Sequence, residues 1–190
     1  MNIQYITQSE FSQIEPTRKI IVHDNPQKFA TIDLGSSLGI YGLSWSSDLI
    51  DPIIKLSPDQ NTLWIGVDQK IAAINLESGY ICLSLSLITP LYQILIKDDL
   101  IAILSEQEIL LFTANHTLKC FELLPDLASE ISSLGDDFLI KMFDDSYLIL
   151  TSSGLLKEAS QFILVTQNNG AMTQSAGSSA NAPATLHAYL

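Results

Sequence analysis

The chain has 190 residues, 47% of them hydrophobic and 16% charged, with 21 acids against 9 bases and a net charge of -12. That much apolar side chain excludes an intrinsically disordered chain, and the length fits one domain with a tail better than two domains. An excess of negative charge repels the phosphates of nucleic acids and anionic lipids, so neither is expected as a partner, and a partner drawn in by charge would be basic.

The first residues, Met1 to Glu10, lack a basic stretch followed by an apolar run, so no secretory signal is expected and cytoplasmic residence follows by default. Ile3-Gln4-Tyr5-Ile6 reads as a short strand. Ile20-Ile21-Val22, Lys28 to Leu34 and Leu38 to Trp45 then read as the second, third and last strands of a degenerate four-stranded unit. Lys28 to Leu34 matches Lys70 to Leu76 at an offset of 42 residues.

From Leu63 onward the chain repeats itself. Leu63-Trp64-Ile65-Gly66, Ile101-Ala102-Ile103-Leu104 and Leu139-Ile140-Lys141-Met142 follow one another at a constant offset of 38 residues. Ile71, Ile109 and Tyr147 keep that offset, as do Ile74, Phe112 and Leu150. A preceding strand occupies Ile53 to Leu56, Leu91 to Ile94 and, more weakly, Ser129 to Ser132. A following strand occupies Tyr80 to Leu83, Leu118 to Phe121 and Leu156 to Ala159. Each run is short, rich in Ile and Leu, and bounded by polar turns, which is how half-buried strands read. Asp68-Gln69, Glu106-Gln107 and Asp144-Asp145 fall between second and third strands; Glu77-Ser78-Gly79, Ala114-Asn115-His116 and Ser152-Ser153-Gly154 fall between third and fourth. Helix competes with strand only over Leu123 to Leu134. The apolar stretch Tyr80 to Leu104 is interrupted by Ser84, Ser86, Pro90, Lys97 and two aspartates, well short of the roughly 20 apolar residues of a bilayer span.

A lone four-stranded sheet cannot bury both faces, so such units stabilise one another by stacking. The expected fold is therefore all-β, with about four propeller-like blades in residues 1–166. Three outcomes follow from four blades. The ring closes, with Ile3 to Ile6 pairing against Phe162-Ile163-Leu164-Val165; or an open half-ring forms a homodimer of eight blades; or a partner covers an incomplete meander. Ser57 to Gly66 followed by Ile71 to Gly79 resembles the blades of the WD40, YVTN and quinoprotein-like propeller superfamily, over roughly residues 14–160. The resemblance implies blade architecture. The WD dipeptide, the Gly-His signature and the tryptophan-docking motif are absent, so no quinone cofactor, and no cofactor of any kind, is expected.

Residues 167–190 carry no charge and no apolar period until Leu186, which reads as a flexible linker. Gly170-Ala171-Met172 matches the scar of a protease-cleavage cloning vector. The segment is then a native tail, a vector remnant, or a fused segment, 173–190, whose Thr185-Leu186-His187-Ala188-Tyr189-Leu190 would itself serve as a peptide ligand.

Chemistry is sparse. His23, His116 and His187 lie in no metal-ligand spacing, and His116 belongs to a hairpin turn. Cys82 and Cys120 occupy the same slot of neighbouring units and are expected as buried, inert thiols too far apart to bridge. Asp24, Asp68, Glu106 and Asp144 are each expected in a turn between second and third strands, forming a ring of negative potential to which Asp145 and Asp51 add. Such a ring could dock a basic protein or peptide through Arg and Lys, hold a divalent cation, or simply stay solvated. The expected function is a non-enzymatic scaffold that binds a basic protein or peptide at this face. The alternatives are an immunity-type inhibitor of a basic toxin or nuclease, and a hydrolase or lyase on propeller loops. The short loops and the single arginine, Arg18, disfavour the last.

Overall fold

A computed structural model describes residues 2–159. They form sixteen strands in four four-stranded sheets, one short α-helix and one 3-10 turn, Pro16–Arg18. The expected strand at Phe162 to Val165 and the tail 167–190 lie outside the described residues.

Sheets two, three and four are antiparallel meanders. Sheet two comprises β5 (Ile53–Leu56), β6 (Thr62–Val67), β7 (Lys70–Asn75) and β8 (Ile81–Ser86). Sheet three comprises β9 (Leu91–Lys97), β10 (Leu100–Ser105), β11 (Glu108–Thr113) and β12 (Leu118–Leu123). Sheet four comprises β13 (Ala128–Leu134), β14 (Asp137–Met142), β15 (Tyr147–Leu150) and β16 (Leu156–Glu158). The segment Leu123 to Leu134, where helix competed with strand, is the end of β12, a connection and β13.

The alternation of side chains along each strand builds three cores in series. Leu63, Ile65 and Val67 of β6 with Ala72 and Ile74 of β7 face sheet one, whereas Trp64, Ile71 and Ala73 face sheet three. One step on, Ile101, Ile103, Leu110 and Phe112 face sheet two, and Ala102, Leu104, Ile109 and Leu111 face Phe138, Ile140 and Leu150 of sheet four. Central strands buried on both faces read as continuous apolar runs, which is why TLWIGV is buried throughout. The first strands β5, β9 and β13 lie against one another, as the inner strands of propeller blades do. Among the described residues no apolar core joins sheet four to sheet one. Leu139 and Ile149 are buried on the far face of sheet four, outside all three cores.

Sheet one departs from the expected meander. Its strands are β1 (Asn2–Tyr5), β2 (Lys19–Ile21), β3 (Lys28–Asp33) and β4 (Ile40–Trp45), in spatial order β1-β3-β4-β2. The residues Ile20 to Val22 do not supply an antiparallel strand preceding β3; β2 lies at the opposite edge, parallel to β4. The inner position goes to β1, which pairs antiparallel with β3 through Ile3↔Ile32 and Tyr5↔Ala30. Consequently β3 and β4 are the second and third strands of their blade, one place earlier than their similarity to later units suggests.

Between β1 and β2 the chain forms α1 (Gln8–Gln13). Thr7 and Glu10 close a capping box: the Thr7 backbone N–H donates to Glu10 Oε2 at 2.7 Å, and the Glu10 N–H donates to Thr7 Oγ1 at 3.3 Å. The helix lays Phe11 against Phe29, ring centroids 5.3 Å apart, on the face of sheet one turned away from sheet two. Gly42 makes room for it, because a Cβ there would stand 2.9 Å from both Phe11 and Ile14.

Candidate functional site

The six carboxylates expected to form one ring all lie at the same end of the sheets, where β5, β9 and β13 begin and β6, β10 and β14 end. They do not share one environment. Asp68, Glu106 and Asp144 occupy turns between second and third strands. Asp24 does not: the different topology of sheet one puts it between the outer strand β2 and β3. Asp51 precedes β5.

Asp68 is buried, and its carboxylate is engaged internally. Oδ2 accepts from the N–H groups of Ser46 and Ser47 at 2.7 and 3.1 Å, in the connection from sheet one to sheet two. Its own carbonyl accepts from Leu91 N–H at 2.7 Å, where the connection from sheet two enters β9 of sheet three. One turn residue thus fastens the connections on both sides of its sheet. His23 Nδ1 stands 4.0 Å from Asp68 Oδ2; burial holds this imidazole below its ordinary pKa, against the opposing pull of the Asp68 charge.

A second buried carboxylate, which the sequence reading did not single out, does the same work one sheet on. Glu108 is 2% exposed. Its Oε2 accepts from Ile88 N–H at 2.7 Å, Thr89 N–H at 3.0 Å and Ser105 Oγ at 3.1 Å. Repetition at 38 residues would have pointed to Glu106; the longer reach from a position two residues later delivers a carboxylate to an equivalent connection. No sequence signal separates the two, since both are acids beside the same turn.

Of the other five expected residues, four are exposed and Glu106 is half-buried. Asp51 accepts from Tyr5 Oη at 2.5 Å and lies 4.0 Å from Lys28 Nζ. Asp145 pairs with Lys141 at 3.1 Å. Asp144 accepts from the Ser146 N–H at 2.9 Å, and hydrogen bonds from Ser146 hold its carboxyl below the ordinary range. Asp24 is exposed beside His23. Glu106 is half-buried and acts on Tyr92, whose hydroxyl is pushed up by burial and by this charge. Acidity is not confined to this end. Asp33, at the end of β3, and Asp59, Asp98, Asp99 and Asp136, in turns, are exposed at the opposite end, and Asp59, Asp98 and Asp99 line a pocket of about 320 Å³ with Trp64 and Ala114, between sheets two and three.

The two cysteines differ, against expectation. Cys120 is buried in the core between sheets three and four, but Cys82 is exposed. The cause is register. In sheet two Ala73 pairs with Leu83 and Ile74 with Ile81, leaving Cys82 as the extra residue of a bulge. In sheet three Leu111 pairs with Cys120 and Phe112 with Leu118, so Lys119 is the extra residue. The turn in sheet three is one residue shorter, and a one-residue slip reverses which face a side chain meets. Cys82 Sγ lies 3.3 Å from the Ala73 carbonyl and 3.4 Å from His116 Nε2. Burial pushes the Cys82 thiol up and the His116 imidazole down.

Among the described residues no group of three or more His, Cys, Asp or Glu side chains is placed to hold a metal ion, and no helix is long and apolar enough to cross a membrane.

The architecture defines an all-β protein of stacked, propeller-like blades. No family model matches the chain, and no curated protein matches it. Among solved structures it is similar to the computationally designed Ika4 protein, at 11% identity and a TM-score of 0.48, covering 61% of this chain and 77% of that one. It is similar to the computationally designed Ika8 protein, at 11% identity and a TM-score of 0.47, covering 75% of this chain and 49% of that one. It is also similar to the Pan2 WD40 domain of Neurospora crassa, at 14% identity and a TM-score of 0.45, covering 55% of this chain and 36% of that one.

Proposed function

We propose that this chain is a non-enzymatic scaffold that binds a basic protein or peptide at the end of the sheets carrying Asp24, Asp51, Glu106, Asp144 and Asp145. The observation that supports this reading is the way Asp68 and Glu108 fasten consecutive connections, which gives that end a fixed backbone rim from which the exposed carboxylates project. Preorganised carboxylates meet Arg and Lys side chains without a large ordering cost, and their field hastens encounter with a cationic partner. Asp68 belongs to the support of the rim rather than to its contact surface.

The test uses the full chain as bait in extract from the native cell. Capture of a stoichiometric basic partner that is released by salt, lost on D24N/D51N/D144N/D145N and retained on D59N/D98N/D99N is the expected result. Retention on the first variant and loss on the second would move the docking surface to the opposite end and overturn the assignment.

A further inference from the structure

The turn between the third and fourth strands needs a left-handed residue in each of the later sheets. Gly79 takes it at φ +76° in sheet two and Gly154 at φ +93° in sheet four. Sheet three has His116 there, at φ +61°. The N–H of the left-handed residue closes each turn, Gly79 to Asn75 O across four residues, and His116 to Thr113 O and Gly154 to Thr151 O across three. Glycine adopts this conformation freely, whereas a residue with a Cβ is strained by about 1–2 kcal/mol. His116 is therefore held in place against a local cost, and its side chain meets two groups. The imidazole lies 5.5 Å, centroid to centroid, from Trp64, and its Nε2 is 3.4 Å from the Sγ of exposed Cys82. The thiol belongs to sheet two and the imidazole to sheet three, so packing of the two sheets assembles the pair.

We propose that Cys82 and His116 form a base-assisted thiol site that exchanges with small disulfides. In the Nδ1–H tautomer, His116 Nε2 faces the thiol as an acceptor and takes the Sγ proton. The thiolate attacks one sulfur of the incoming disulfide, the S–S bond breaks, and a mixed disulfide forms on Cys82. The departing thiolate recovers the proton from the imidazolium and leaves as a thiol, so the incoming disulfide is the only oxidant consumed. Exposure of Cys82 gives access; partial burial keeps its thiol protonated at rest, so the thiolate forms only when the neutral imidazole 3.4 Å away takes the proton during attack. Cys120, in the core between sheets three and four, has no such access.

Cystamine suits the test because it is a cationic disulfide and the protein carries a net charge of -12. The full chain is treated at pH 7.5 and mixed-disulfide formation is followed at each cysteine by peptide mass. Cys82 is expected to react at least tenfold faster than Cys120, and His116→Gly is expected to slow Cys82 about tenfold while leaving Cys120 unchanged. Glycine is favoured at this φ, so the variant keeps the turn, and His116→Asn, which also tolerates it, provides a second comparison. A fall at Cys82 of less than threefold in both variants, or equal rates at the two cysteines in the unmodified chain, would overturn the site.

Discussion

Replacing Glu108 with Ala tests whether buried carboxylates hold the sheets in register. The side chain is 2% exposed and its Oε2 receives two backbone N–H groups, from Ile88 and Thr89, and the Ser105 hydroxyl. Hydrogen bonds to a charged acceptor contribute about 1.5–3 kcal/mol each, but these share one oxygen and do not add fully. Truncation also leaves two backbone donors without their acceptor, at about 1–3 kcal/mol each, and the partial exposure of the connection lets water recover some of that. A loss of about 2–4 kcal/mol follows, which for a domain of this size lowers the melting temperature by roughly 10 °C. Urea titration measures it as a shift in midpoint at constant slope, and hydrogen exchange should show Ile88 and Thr89 amides losing protection first. Glu108→Gln keeps the volume and an acceptor oxygen, so it should fall between. A stable Glu108→Ala, or a Glu108→Gln more stable than the parent, would mean that desolvating the carboxylate costs more than its bonds return, and would refute the anchoring role.

Two further outcomes follow from packing and titration. Gly66→Ala should destabilise by about 1–3 kcal/mol in the same titration, because its Cβ would stand 2.2 Å from Leu91 Cδ2 of the next sheet; a neutral result would mean that β6 and β9 are not in close contact. Burial holds His23 and His116 below their ordinary value of 6.5, so as pH falls below about 6.5 the unfolded chain takes up protons that the folded chain refuses. Stability is therefore full above that pH, declines as pH drops beneath it, and levels off below the folded values; thermal melts from pH 8 to 5 should show this, and His23→Gln should flatten the slope.

The blade repeat was legible because three consecutive units keep one spacing and each strand alternates between two buried faces. Trp64 and Leu63 are neighbours in sequence yet serve different cores, and that follows from the period of two alone. Sheet one was misread by one strand because Lys28 to Leu34 resembles a third strand in composition, and composition does not record pairing partners. The inner position was open to either β1 or β2, and only tertiary packing decides between them. The helix at Gln8–Gln13 had a readable signal, the Thr7-x-x-Glu10 box, but it is only six residues long and no apolar period announces it.

The carboxylates show where reasoning by repetition stops. Asp68 and Glu106 are equivalent by spacing, yet Asp68 and Glu108 are equivalent by chemistry, because each places one carboxylate oxygen on the two N–H groups of an inter-sheet connection. In the last sheet the same connection closes locally, with Asp126 Oδ1 accepting the Leu127 N–H at 2.7 Å, and Ser146 stands where Glu108 would fall. Among the described residues a carboxylate is thus buried only at the two junctions where a neighbouring loop offers it donors. Elsewhere the same residue type remains at the surface, where its charge is free to act on a partner. Loop conformation, rather than position in the repeat, decides which acids are structural. The same logic applies to His116, whose significance lies in the contact its turn makes with the sheet before it.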